Sequence, residues 1–125
     1  MKILLDTHIL LWVLEDSKKL SKKAREIIDN ASEVYISSVS AWEIMIKVQI
    51  GKLDIDLNNI QKIFRESNFI ELSLKLEHIL ELKNLPDYHK DPFDRMLIAQ
   101  ALNEPLKLIT ADATVKKYSD IIELV

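Results

Sequence analysis

Residues 1–14 read MKILLDTHILLWVL, and this stretch decides the fold. Residues 3–5 are all apolar and lead directly to Asp6, which is typical of a buried parallel strand. Residues 9–14 are again mainly apolar, and with Thr7 available as an N-terminal cap they predict a helix. The chain therefore opens as an α/β protein does, with a buried strand followed by a helix.

The rest of the chain continues this alternation. Hydrophobic periodicity and turn residues predict further strands over residues 34–36, 69–72, 106–110 and 121–125. They predict helices after Ser21 and over residues 41–50, 58–66, 74–82 and 91–102, with a short helical turn capped by Asp112. We therefore predict one domain over residues 1–125, an α/β/α sandwich with a mainly parallel central sheet.

Composition excludes several classes of protein. The chain has no Cys, which rules out a disulfide scaffold, a thiolate zinc site, an iron–sulfur cluster and a cysteine nucleophile. Its single glycine, Gly51, rules out glycine-rich phosphate loops. No apolar run approaches the ~20 residues that cross a bilayer, and an acid already stands at position 6, so we expect no signal peptide and a cytoplasmic protein.

The formal charge of −3, from 17 basic and 20 acidic side chains, argues against a non-specific nucleic-acid binder. The acids are unevenly placed, however. Asp6 and Asp112 follow predicted strands, and Glu43, Asp91 and Asp94 lie early on predicted helices. Because these positions share the carboxyl edge of a parallel sheet, all five acids can converge there.

Each of these acids except Asp6, taken alone, also has a structural explanation. Ser40 and Glu43 have the spacing of a capping box, and Glu43 can pair with Lys47 one turn later. Asp91 and Asp112 suit helix caps, and Asp94 suits the positive end of a helix dipole. Residue spacing alone leaves open a merely capped α/β domain.

Converging carboxylates repel one another unless a cation lies between them. Oxygen ligands without Cys or paired His favour Mg²⁺ or Mn²⁺ over Zn²⁺. Such a site keeps metal-bound waters, one of which can attack a phosphorus centre. Metal-assisted phosphoryl chemistry is therefore the functional alternative to a capped domain.

Four blocks in order carry a resemblance: DTHILLW (residues 6–12), SAWEI (40–44), HKDPFDRMLIAQA (89–101) and ITAD (109–112). Together they resemble the PIN-domain family, specifically its VapC-type toxin ribonucleases from toxin–antitoxin systems. The resemblance implies a Mg²⁺-dependent endoribonuclease that hydrolyses RNA phosphodiester bonds with a metal-activated water and leaves a 5′-phosphate and a 3′-hydroxyl. Which RNA is cut is not implied, nor is whether one or two metal ions bind.

The resemblance also implies roles for particular residues. Asp6 and Asp94 would be the main metal ligands, with Glu43 and Asp112 completing the site directly or through water. Supporting positions would be Thr7 and Thr110, which match hydroxyls that hold ligands or the scissile phosphate. Asp91 is interpreted as a helix cap or a supporting site residue, and His89 as a surface-loop residue or a phosphate contact. Lys47 and Arg95 are the basic residues best placed to contact RNA.

Family resemblance further implies a small antitoxin that occludes the acidic groove, and a homodimer. The apolar surface around Trp12 and the helix from Ala41 is the candidate dimer interface. Two other interpretations remain: a non-catalytic PIN-like scaffold module and a receiver-like phosphoacceptor domain. A receiver needs paired acids after its first strand and a lysine after its last, whereas this chain has only Asp6 and no matching late lysine.

Overall fold

The computed structural model describes residues 1–125 as strands and helices in alternation. The strands are β1 (Lys2–Leu5), β2 (Glu33–Ser37), β3 (Phe69–Leu72), β4 (Lys107–Thr110) and β5 (Ile122–Leu124). The helices are α1 (Thr7–Leu14), α2 (Lys22–Asn30), α3 (Ser38–Gln49), α4 (Asn58–Glu66), α5 (Leu76–Glu81), α6 (Pro92–Asn103) and α7 (Ala113–Lys116). A 3₁₀ turn, Leu82–Asn84, follows α5, and none of the helices is both long and apolar enough to cross a membrane.

The five strands form one sheet in the order β3-β2-β1-β4-β5, and every neighbouring pair is parallel. The chain adds β2 and β3 on one side of β1, then β4 and β5 on the other. The strand order therefore reverses between β1 and β4, where a crevice opens at the carboxyl ends of the strands. The predicted α/β/α fold with a parallel sheet is confirmed.

Two hydrophobic cores cover the two faces of the sheet. Successive residues of β1 point to opposite faces, so Ile3 and Leu5 lie in one core and Leu4 in the other. The first core includes residues of α1, α2 and α3, and the second includes residues of α3, α6 and α7. Because both faces are covered, residues 3–5 carry no polar side chain.

The start of α1 differs from the prediction. Its N-terminal cap is Asp6 and not Thr7: Asp6 Oδ1 accepts a hydrogen bond from the Ile9 amide at 2.8 Å. The helix begins as soon as β1 ends, so the acid that ends the strand also caps the helix.

The start of α3 differs in the same way. This helix begins at Ser38, three residues earlier than predicted, and Ser37 caps it by accepting the Val39 amide at 3.0 Å. The capping box predicted for Ser40 and Glu43 is therefore wrong, because both residues lie inside the helix. The helix predicted over residues 74–82 begins two residues later, at Leu76, and its last turn, Leu82–Asn84, is 3₁₀.

Candidate active site

Asp6 lies buried in the crevice between β1 and β4. Its Oδ2 accepts the Thr110 hydroxyl at 2.5 Å, while Oδ1 caps α1, and its amide donates to the Ile109 carbonyl at 3.1 Å. Burial raises the pKa of Asp6, and the hydrogen bonds from Thr110 and Ile9 act against that rise. Both carboxylate oxygens are thus held by bonds from neighbouring elements, which leaves the side chain little rotational freedom.

Asp94 and Asp112 are joined by the imidazole of His89. Nε2 of His89 lies 3.1 Å from Oδ2 of each acid. Nδ1 of the same ring accepts the Asp91 amide at 3.0 Å, so in the neutral ring the proton is on Nε2. A single N–H therefore faces two carboxylates from different elements, α6 and the loop after β4.

The pKa of Asp94 is raised to about 7. Burial contributes most, and the negative charges of Asp91, Asp6 and Glu43 raise the pKa further, while His89 lowers it. Through-space repulsion of this kind acts only between groups that lie near one another. The acids that follow β1, lie on α3 and begin α6 therefore share one electrostatic site.

Glu43 is almost fully buried on α3. Its Oε2 forms an ion pair with Lys47 Nζ at 2.8 Å. Its Oε1 is the single buried side-chain polar atom of the protein without a hydrogen-bond partner. A buried carboxylate oxygen without a hydrogen-bond partner costs free energy. A cation, or a water molecule bound to a cation, would remove that cost by contacting this oxygen.

Asp112 combines capping with a place in the site. Oδ1 accepts the Thr114 amide at 2.8 Å and caps α7, while Oδ2 faces His89. Burial alone would raise the pKa of Asp112, but the hydrogen bonds from Thr114 and His89 outweigh it and lower the pKa. Thr110 also accepts the Asp112 amide at 3.1 Å, so this one threonine positions both Asp6 and Asp112.

Asp91 is the N-terminal cap of α6. Its Oδ1 accepts the Phe93 amide at 2.8 Å and the Asp94 amide at 3.3 Å, and Pro92 occupies the first turn. The structure thus bears out the capping interpretation of Asp91. Its charge still acts on the site, because it raises the pKa of Asp94.

Thr7 follows Asp6 directly in the chain. The residue is buried, and its hydroxyl donates to Ser40 Oγ at 3.0 Å. This bond joins α1 to α3. Of the two predicted hydroxyls, only that of Thr110 contacts a site acid.

The two basic residues predicted to contact RNA both have partners within the protein. Lys47 pairs with Glu43 and keeps about a third of its side chain exposed. Nη1 of Arg95 donates to the Pro86 carbonyl at 2.9 Å and to the Tyr118 hydroxyl at 3.2 Å. The Arg95 guanidinium therefore fixes the loop that precedes α6.

His89 is the site residue that the sequence interpretation understated. Its side chain is 18% exposed and lies between two acids, so the surface-loop interpretation is wrong. The loop is held because the His89 amide donates to the Tyr118 hydroxyl at 2.7 Å and Arg95 contacts the His89 carbonyl at 3.4 Å. His89 stands two residues before a cap, and this spacing was the available signal because it lets Nδ1 accept the Asp91 amide.

These residues suit a hard divalent cation. Carboxylate oxygens of Asp94 and Asp112 lie with Nε2 of His89 within 4.8 Å of one another, and because that nitrogen carries the ring proton, the two acids are the ligands available to a cation. The negative charges of Asp6 and Glu43 raise the pKa of Asp94, and Glu43 supplies the oxygen without a hydrogen-bond partner. Beside Asp6 and Asp112 the crevice opens into a cavity of about 390 Å³, whose lining includes His8 and Trp12. The arrangement can therefore hold a cation next to space for a substrate.

Comparison with known proteins finds relatives in sequence and in fold. The sequence model of the PIN domain family matches residues 3–121. The chain is 22% identical over 121 residues to ribonuclease VapC22 of Mycobacterium tuberculosis, covering 93% of this chain and 91% of that protein.

Solved structures share the fold at low sequence identity. DNA-bound VapBC from Salmonella typhimurium has a TM-score of 0.71 at 17% identity, and the match covers 100% of this chain and 97% of the Salmonella chain. VapBC2 from Rickettsia felis, bound to a DNA fragment from its promoter, has a TM-score of 0.70 at 16% identity with 100% and 98% coverage. A toxin–antitoxin complex from Klebsiella pneumoniae has a TM-score of 0.68 at 19% identity with 97% and 95% coverage.

Proposed function

The chain belongs to the PIN-domain family, and we propose that it is a metal-dependent endoribonuclease, the toxin of a toxin–antitoxin pair. The observation that carries the proposal is the gathering of Asp6, Glu43, Asp94 and Asp112 at the point where the strand order reverses. A non-catalytic scaffold gives no reason to bury Asp94 beside other acids, the combination that raises its pKa to about 7. The similarity to a protein named as a ribonuclease supports the same activity.

The resident cation in this proposal is Mg²⁺, with Mn²⁺ as a substitute. Asp6 and Asp94 would be the main ligands, and Glu43 and Asp112 would complete the site directly or through water. Carboxylate oxygens are the donors that these hard cations prefer. When bound, the cation would offset the clustered negative charge, polarise the scissile phosphate and lower the pKa of an attacking water.

The protein's own contribution is to hold the carboxylates in place before the cation arrives. Thr110 and the Ile9 amide hold Asp6, His89 contacts both Asp94 and Asp112, and Lys47 holds one oxygen of Glu43. Asp94 must lose its proton before it can act as a ligand. Because the pKa of Asp94 is about 7, cation binding near neutral pH releases a proton.

Partners follow from the same proposal. RNA is the substrate, and a small antitoxin occludes the acidic groove, as the similarity of fold to chains in three toxin–antitoxin complexes suggests. We place the toxin in the cytoplasm, where cellular RNA is available.

A homodimer would use the exposed apolar face of α3, where Trp42 is 60% and Met45 is 39% exposed. The two residues lie on the helix predicted for the interface. Trp12 is half-buried against the first core and offers less surface.

The decisive experiment is cleavage of single-stranded RNA by the purified chain freed of any partner. Reactions with Mg²⁺, with Mn²⁺ and with EDTA would be compared for the wild type, Asp6→Asn, Asp94→Asn and the control Asp120→Asn, which removes an exposed acid outside the site. We expect the two site variants to lose more than about 100-fold in rate, because even loss of a residue supporting a metal ligand costs 10–100-fold. EDTA should abolish cleavage, and the products should carry 5′-phosphates.

Equal cleavage by the wild type and both site variants would show the site assignment to be wrong. A wild type that binds no Mg²⁺ and cuts no RNA would support the scaffold interpretation instead. Cleavage sites mapped across total cellular RNA after brief expression would identify the substrate.

A further inference from the structure

A second cavity adjoins the acidic crevice. It has a volume of about 490 Å³ and lies between α1, the loop after α1, and the end of α3. Its lining includes the three lysines Lys19, Lys47 and Lys52, together with His8, Trp12 and Glu15. We call this cavity the lysine groove. Its volume is in the range of sites that bind small ligands.

The lysine groove is continuous with the acidic site. His8 and Trp12 line both the groove and the cavity beside Asp6 and Asp112. On its other side, Lys47 faces the groove while its Nζ contacts Glu43 at 2.8 Å. A polymer bound at the acids would therefore meet the groove beside His8 and Trp12.

The charge of the lysine groove is opposite to that of the whole molecule. The protein carries a formal charge of −3, yet the groove presents three lysines and one acid, Glu15. Only Lys47 is in an ion pair, so Lys19 and Lys52 keep their full charge available. An acidic nuclease must attract a polyanion somewhere near its site, and unpaired lysines supply that attraction.

Trp12 gives the groove an aromatic wall. The residue packs against the first hydrophobic core, which anchors its ring. The exposed ring of His8 lies 6.3 Å from it, at an interplanar angle of 47°. Anchored aromatic rings beside a basic track are the combination that binds single-stranded nucleic acid, because every unpaired base has a face that can stack.

We propose that the lysine groove binds the single-stranded RNA on one side of the scissile phosphate, with backbone phosphates on Lys19, Lys47 and Lys52 and a base against Trp12. This inference rests on the proposed function. It gives the substrate a path across the surface that runs from the acids past His8 toward the end of α3. Duplex RNA should bind less well, since its bases are not free to stack on Trp12.

The test uses the charge-reversal pair Lys19→Glu/Lys52→Glu. The matched control is Lys18→Glu/Lys62→Glu, which has the same net charge but alters exposed lysines outside the groove. Binding of a fluorescent single-stranded oligoribonucleotide and of its duplex would be followed by anisotropy, in an Asp94→Asn background that prevents cleavage. Steady-state cleavage would be measured with Asp94 restored.

We expect the groove variant to bind the single strand at least about tenfold more weakly and to lower the slope of log Kd against log salt by about 1.4, which corresponds to two phosphate contacts. KM should rise about as much as Kd, with kcat within about twofold of the wild type, because the lysines bind without entering the chemistry. The control variant should match the wild type.

If the groove and control variants have equal Kd and equal KM while the enzyme cleaves RNA, RNA does not bind in the lysine groove. The proposed function would then remain intact. A wild type without cleavage would overturn the proposed function, while the binding data would still report on the groove. A groove variant that keeps RNA affinity but no longer binds a co-expressed protein partner would also overturn the proposal, in favour of a protein ligand.

Trp12 allows a direct measurement. The chain has two tryptophans, so Trp42→Phe leaves Trp12 as the only one. Stacking of a base on its ring should quench the fluorescence when a single-stranded oligonucleotide is added. Unchanged fluorescence at saturating RNA would overturn the stacking contact.

Discussion

Asp94 lies in the first turn of α6, where burial and then the charges of Asp91, Asp6 and Glu43 raise its pKa to about 7. The metal-free native state therefore holds a proton on Asp94 that the unfolded chain releases near the ordinary pKa of 3.8. Tighter proton binding by the native state means that the contribution of Asp94 to stability is fully present below about pH 3.8 and is lost as pH rises through about 7. A loss of folding stability at neutral pH is expected where function requires several acids to lie close together.

The variant Asp94→Asn removes this titration. In EDTA at pH 8 we expect it to unfold about 4 °C higher than the wild type, which corresponds to roughly 1 kcal/mol for a chain of this size. At pH 4 the gap should shrink, because Asp94 is then largely protonated in the wild type. Thermal denaturation at both pH values, with Asp120→Asn as control, measures the effect. A gap that does not change with pH would contradict the assigned pKa.

His89 lowers the pKa of Asp94, opposite to the effect of burial and of the neighbouring acids. Its Nε2–H faces Asp94 and Asp112, and it lowers the pKa of both acids. We expect His89→Ala to raise the pKa of Asp94 further, so that Mn²⁺ binding requires a higher pH. His89→Gln keeps an N–H donor and should shift the profile less. Calorimetric titration with Mn²⁺ between pH 6 and 8.5 would show the shift, and coincident profiles for the wild type and His89→Ala would refute it.

At the scale of elements, three helix caps carry the acidic site. Asp6 caps α1, Asp91 caps α6 and Asp112 caps α7. For Asp6 and Asp112, Oδ1 binds the helix amides while Oδ2 contacts Thr110 or His89. Capping and site chemistry are therefore not alternatives for these residues, because a carboxylate has two oxygens and the cap uses one.

Asp91 should differ from those two caps in its response to substitution. We expect Asp91→Ala to cost about 1 kcal/mol of unfolding free energy, the usual value of a lost N-terminal cap. Asp91→Ser keeps a capping oxygen and should retain both stability and metal-dependent cleavage. Urea denaturation and cleavage assays on the pair would separate the two roles. Loss of cleavage in a stable Asp91→Ser variant would instead make Asp91 a site residue.

Over the whole molecule, charge is separated. Without its four site acids the chain has 16 acidic and 17 basic side chains, so the net negative charge belongs to the crevice. The lysine groove lies next to that crevice. The acidic composition, which argues against a general nucleic-acid binder, is therefore compatible with a nuclease whose negative charge is concentrated where a cation binds.

The exposed apolar face of α3 is the candidate interface between two copies of the chain. Trp42 packs edge-to-face on Phe93 with ring centroids 5.3 Å apart and borders a cavity of about 330 Å³ with Leu74 and Leu82. Exposed apolar surface of this kind marks interfaces. We expect Trp42→Lys to convert a dimer into a monomer in sedimentation velocity, while Ile70→Lys, on an edge strand, should not. A wild type that sediments as a monomer at all concentrations would contradict the dimer.

Sequence alone determined the fold class and predicted where the candidate site acids lie, and the family resemblance selected four of the five converging acids. Residues 3–5 are wholly apolar because both faces of the sheet are covered, and the acids follow strands or begin helices that share one edge. These features depend on local periodicity and on a general rule of parallel sheets, so they can be read from the chain without its coordinates.

Only the tertiary structure decided which groups meet. His89 contacts Asp112 across 23 residues, and Thr110 contacts Asp6 across 104. The lysine groove combines α1 with the end of α3, and the Thr7 hydroxyl donates to Ser40 across 33 residues. Such contacts depend on how distant elements pack and how side chains rotate, and neither is encoded in the spacing of nearby residues.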